Sequence, residues 1–105
     1  MGKMASTLGR ETLVVAAAAV GLASIPASTV GTVTEVYVTV EDAPARWDVA
    51  ADPTASQGHL LAAGDQLVIT GDSDIRSIKF IRTTGISSSF EISYFGQALG
   101  NTGAA

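Results

Sequence analysis

A chain of 105 residues with 6 Lys plus Arg against 10 Asp plus Glu, and a net charge of -4, has room for one small domain. The acidic balance argues against nucleic-acid binding, which needs a basic stripe. The absence of cysteine excludes disulfides, zinc ribbons, iron–sulfur clusters and thiol catalysis.

Lys3 and Arg10 precede an apolar, Ala-rich run over residues 13–23, with small residues following at Ala23-Ser24 and Ala27-Ser28. That order resembles a secretory signal, but Glu11 lies directly against the run and argues otherwise. A bilayer span needs about 20 apolar residues, so the run is too short to cross a membrane. Met1-Gly2-Lys3-Met4-Ala5-Ser6 matches the myristoylation pattern, one short enough to arise by chance. Residues 13–22 suit either an Ala-rich helix or a buried strand of small residues.

The clearest signal follows. Over residues 33–41, Val36, Val38 and Val40 fall on one face of a strand, with Glu35, Tyr37, Thr39 and Glu41 on the other. Asp42-Ala43-Pro44 breaks that run, and residues 45–49 alternate again around Trp47. Asp52-Pro53-Thr54 and Gln57-Gly58-His59 read as loop, after which Leu60 and Leu61 return to the core. Residues 66–70 form a short strand between the turns Ala63-Gly64-Asp65 and Gly71-Asp72-Ser73-Asp74. Residues 75–82 have an imperfect period that predicts a bulge or a helical turn before a strand. Phe90, Ile92 and Tyr94 alternate in a final strand, and residues from Gly96 onward read as a tail.

Five to seven short strands with turn signals every 8–12 residues predict an all-β chain, a single-domain β-sandwich or jelly-roll-like barrel with flexible terminal arms. The expected division is an arm over residues 1–11, a sandwich over 12–95 and a tail over 96–105.

No residue set points to catalysis. His59 is the sole histidine, without the nucleophile and orienting group of a triad, and its expected role is to bond a backbone group. Asp72 and Asp74 alternate as cation ligands do, but calcium takes six or more oxygens, and turn chemistry with backbone N–H groups is the expectation. Glu41, Asp42, Asp48 and Asp52 read as a solvated acidic loop that pairs with Arg46, not as a glycosidase pair. Arg76, Lys79 and Arg82 recur at spacing three, too few for DNA but able to meet an acidic neighbour. No Walker loop, dinucleotide fingerprint, nucleophile elbow or zinc-protease motif is present. No cofactor or metal is expected.

Several short motifs follow one another along the chain. They run from Glu41-Asp42-Ala43-Pro44-Ala45-Arg46-Trp47 through Asp52-Pro53-Thr54 and Gly58-His59-Leu60-Leu61 to Gly64-Asp65. Phe80-Ile81-Arg82 and the closing Phe90-Glu91-Ile92-Ser93-Tyr94 follow. Over roughly residues 12–95 this order resembles a group of small tailed-bacteriophage virion proteins. One departure is the turn at Ala51-Asp52-Pro53, where that group carries Asp-Gly-x-x-Pro. The resemblance implies a small β-sandwich with residues 13–22 as its first strand, and a structural role in the particle.

The role so implied is capsid decoration, on the outer head surface, tying major capsid proteins together. Its partners would be the major capsid protein and copies of the chain itself in trimers or dimers, with no nucleic acid and no membrane. A neck, tail or baseplate accessory is the nearest alternative, and an exported carbohydrate-binding or adhesin-like sandwich a further one. An arm over residues 1–10 would be ordered by neighbouring subunits. Tyr37, Trp47 and Phe95 are the candidate exposed contacts, each opposite the core face of its strand or at its end, and Arg76 and Arg82 are the candidate charged ones.

Overall fold

A computed structural model describes residues 6–98. Eight strands form: β1 (Ser6–Val15), β2 (Val20–Gly21), β3 (Gly31–Val40), β4 (Ala45–Asp48), β5 (His59–Leu61), β6 (Gln66–Thr70), β7 (Lys79–Arg82) and β8 (Ser88–Ala98). One short helix, α1 (Asp72–Ser77), precedes β7. The strands make two four-stranded antiparallel sheets, ordered β1-β8-β3-β6 and β2-β7-β4-β5. First therefore pairs with eighth, second with seventh, third with sixth and fourth with fifth. This is one long hairpin folded at residues 49–58 and rolled into a sandwich, which is the jelly roll.

Period-two alternation decides which residues meet between the sheets. Val36, Val38 and Val40 of β3 and Phe90, Ile92 and Tyr94 of β8 line one inner face, joined by Leu13 and Val15 of β1. Ala45, Leu61 and Phe80 face them from the other sheet. Phe80 and Phe90 meet edge to face across the gap at 4.9 Å, a geometry aromatic pairs favour. Ser88 is the buried polar side chain among them, and its hydroxyl donates to the Ala43 carbonyl at 2.6 Å.

The strand expected over residues 13–22 is broken. β1 ends at Val15, residues 16–19 cross between the sheets, and β2 belongs to the opposite sheet, where Val20 lies against Phe80. Small alanines let the chain pass around the sandwich edge, and the Arg82 amide donates to the Ala16 carbonyl at 3.1 Å.

The sheet also reaches past the expected boundaries. Ser6 to Arg10, expected as part of an arm ordered by neighbours, pair with β8 of the same chain, from Ser6 opposite Gly96 to Arg10 opposite Ser93. Gly96 to Ala98, expected in the tail, continue β8 beside β3. The remaining arm and tail residues, 1–5 and 99–105, lie outside the described residues.

Two bulges explain why this extension lacks a clean alternation. Leu8 in β1 and Thr34 in β3 are each an extra residue in the ladder with β8. Beyond them parity flips, and Leu8 and Val33 turn onto the core side. The backbones close tightly here: a Cβ on Gly96 would fall 1.9 Å from the Thr32 carbonyl oxygen. Only glycine fits.

The helical turn anticipated before the strand at 79–82 is α1, which buries Ile75. Gly71 enters it at φ 89°, a backbone region that favours glycine. The Gly71-Asp72-Ser73-Asp74 stretch is thus a helix start, not only a turn. No side chain caps it. Asp72 instead accepts from Arg76 at 2.9 Å, one helical turn away, which corrects the expectation of backbone bonding.

Candidate interaction surface

The outer face of the β1-β8-β3-β6 sheet carries the residues left over when the alternating core set is buried. Tyr37 of β3 stands between Ser93 of β8 and Val68 of β6. Phe95 lies two residues beyond Ser93 on the same face, so it is the diagonal neighbour of Tyr37, within reach of an aromatic side chain. The rings are 5.0 Å apart and tilted by 56°. Tyr37 is 48% exposed and Val68 50%, so the pair and the valine form a raised apolar patch. Around it lie Thr39, Thr70 and Gln66, with Glu35 and Glu91 as the acids and Arg10 as the base. Thr12 donates to Glu91 at 2.9 Å across the β1–β8 ladder.

Tyr37 and Phe95 therefore come together on this face. The other three candidates do not join them. Trp47 was expected on the outer side of its strand or at its end. It shares the inward parity of Ala45, is half-buried, and packs against the core. Its indole lies against the His59 ring, with centroids 4.6 Å apart and planes tilted by 33°, because Trp47 and His59 are register partners on β4 and β5. Trp47 also lines a cleft of about 190 Å³ with Val49, Leu67, Ile69, Asp74 and Ile78. Arg76 sits exposed on α1, held by Asp72. Arg82 lies on β7 opposite Ala45, and its guanidinium donates to the Ser87 hydroxyl at 3.4 Å. The Arg76, Lys79 and Arg82 series is split between helix and strand, and Lys79 pairs with Asp52 at 3.2 Å.

Among the described residues His59 forms no side-chain hydrogen bond to a backbone group, against the expectation; its ring lies against Trp47 instead. Leu61 fills the core, while Leu60 is exposed. Arg46 does not pair with the acidic loop either. Its guanidinium donates to the carbonyls of Ala55 at 3.1 Å and Gly58 at 2.9 Å, fastening the 49–58 loop to β4. The acids serve elsewhere. Asp48 accepts the Ala50 amide at 2.9 Å, which holds its carboxyl below the usual carboxylate range against the opposing effect of partial burial. Asp42 accepts the Ser89 amide at 2.9 Å. Among the described residues no group of three or more His, Asp or Glu gathers where a metal ion would sit.

Sequence reasoning missed two features. Val68 stands opposite Tyr37, and only the β3–β6 register reveals that. Glu11, awkward beside an apolar run, faces inward. Its carboxylate accepts from the buried Tyr94 hydroxyl and, at 2.8 Å, from the Ser24 amide. Burial first, then this bond and the Glu11 charge, push the Tyr94 phenol far above its ordinary range.

Fold and surface together define a small jelly-roll sandwich with an aromatic patch on one sheet. No protein-family model matches the chain, and neither does any curated protein or solved structure.

Proposed function

We propose that the chain is a non-enzymatic structural protein of a tailed-bacteriophage virion, a decoration protein that binds the outer head surface and bridges major capsid proteins. The supporting observation is the Tyr37–Phe95–Val68 patch on the outer sheet face. It is apolar and aromatic at its centre and polar at its rim, the composition that favours protein contact. The face rests on a rigid ladder, so little ordering is lost when it docks. The net charge of -4 suits a position outside a shell packed with nucleic acid. Jelly rolls occur in viral shell proteins, and that analogy is of fold alone.

Quantitative mass spectrometry of purified particles tests the reading. Copies in the hundreds, comparable with the major capsid protein, are the expected result. A dozen or fewer would move the chain to the neck or tail, where cyclic symmetry limits the number. Its absence from the particles would overturn the virion role.

A further inference from the structure

We propose that β1 is a self-pairing edge, through which two copies of this chain join their sheets about a two-fold axis at Thr12. The proposal deepens the self-association part of the reading above and names the surface that carries it.

Sheet edges present unpaired N–H and C=O groups, and proteins blunt them by shortness, bulges, Pro or Lys. Three of the four edges here are blunted by shortness. β2 has two residues, β5 has three, and β6 has five and runs into Gly71 and α1. β1 has ten. It pairs with β8 alone, and among the described residues no other segment makes a backbone–backbone hydrogen bond to residues 9–15; the Ser24 amide reaches only the inward Glu11 side chain. Its one bulge lies at Leu8. From Gly9 to Val15 the register with β8 is unbroken, with neither Pro nor Lys. An open row of backbone donors and acceptors fits one kind of partner, another strand.

The side chains select a second copy as that strand. An isologous antiparallel pair keeps residues of one face opposite one another, so its axis passes through a residue that faces itself. Centred on Thr12, the pairing uses the whole bulge-free stretch. Arg10 then lies opposite Val14 of the second copy, and Glu11 opposite Leu13. No like charges meet. Val14 is 61% exposed and gains cover. Arg10 forms neither of the two ion pairs among the described residues, Arg76–Asp72 and Lys79–Asp52. Across the axis it shares the outer face with Glu91 of the other copy. Standard strand spacing and rise put their Cα atoms about 12 Å apart, within the combined reach of the two side chains. Self-pairing on Arg10 or on Glu11 would instead set like charges face to face. The product is one continuous sheet of eight strands, four from each copy.

A charge series at Val14 tests the register, read by sedimentation of the full chain across the micromolar range. The wild type is expected to dimerise. Val14→Arg sets arginine against Arg10 twice per dimer and is expected to raise the dissociation constant at least about tenfold. Val14→Glu, which loses the same valine but faces Arg10 with a carboxylate, stays dimeric. Arg10→Glu combined with Val14→Arg restores the dimer. Circular dichroism and thermal melting show that each variant keeps the sandwich, as an exposed site allows. A monomeric wild type overturns the proposal, as does Val14→Arg dimerising as tightly as the wild type. So does equal weakening by Val14→Arg and Val14→Glu. A monomer present in hundreds of copies per particle would overturn this pairing and leave the virion role standing; a dimer absent from particles would do the reverse.

Discussion

The Tyr94 hydroxyl lies inside the core, and a buried phenol requires an acceptor. Glu11 supplies it and is itself steadied by the Ser24 amide, so one carboxylate ties β8, β1 and the segment after β2 together. A hydrogen bond to a charged acceptor contributes about 1.5–3 kcal/mol. Tyr94→Phe is therefore expected to lower unfolding free energy by about 2 kcal/mol in urea titrations. Burial of the phenol, and then this bond, predict a pH dependence. Folded Tyr94 keeps its proton, whereas the unfolded phenol loses it near about pH 10. The contribution is thus complete below about pH 10 and declines above it, because the unfolded state then binds fewer protons. Urea midpoints at about pH 8 and about pH 11 should converge for wild type and Tyr94→Phe. A constant gap between them would count against this role.

At the scale of elements, the 49–58 loop depends on β4. Arg46 reaches two of its carbonyls, and Thr54 closes a turn with Gln57 through its hydroxyl at 3.0 Å and its backbone at 2.9 Å. Gly58 leaves the loop at φ 119° under the Trp47 carbonyl. Arg46→Ala is expected to cost about 1–2 kcal/mol and to speed hydrogen exchange at the Gln57 amide. Arg46→Lys should do nearly the same, because an ammonium lacks the planar fork that spans both carbonyls. Unchanged exchange in both variants would show that the loop holds itself.

Elements also differ in how far they could be read from the sequence. β6 was expected over the residues it occupies, and β3 and β8 over most of theirs, because alternating apolar residues bury one face of each. The start of β1 was not legible. Thr7, Gly9 and Arg10 carry no apolar alternation, and the Leu8 bulge shifts what parity there is. Residues 71–74 carry turn-forming types, and their helical state depends on Ile75 reaching the core. The surface was half legible. Alternation put Tyr37 opposite the core face, but its contact with Phe95 needs a register between strands far apart in the chain. Glu11 illustrates the same limit, since its partner Tyr94 lies 83 positions away.

For the molecule as a whole, the rolled hairpin makes its opening residues part of the core. A chain beginning at Ser24 would lack β1 and β2, and with them Leu13, Val15 and the ladder on one side of β8. Such a chain is expected to show no cooperative thermal unfolding transition by circular dichroism. A sharp melt at the wild-type temperature would mean that the remaining strands form a self-sufficient sandwich. The exported reading would require this shortened form to fold, and intact mass of the native protein distinguishes the two.

The pairing of Ser6 with Gly96 carries a consequence for biosynthesis. Strands leave the ribosome in chain order, yet β1 finds its partner in the sheet only when β8 emerges. Throughout synthesis β1 exposes both of its edges, with Leu13 and Val15 uncovered. Distant pairing of this kind delays closure and leaves strands open to wrong partners. The nascent chain is thus most vulnerable to aggregation during translation, and its first strand is the segment that holdase chaperones would need to cover until β8 arrives.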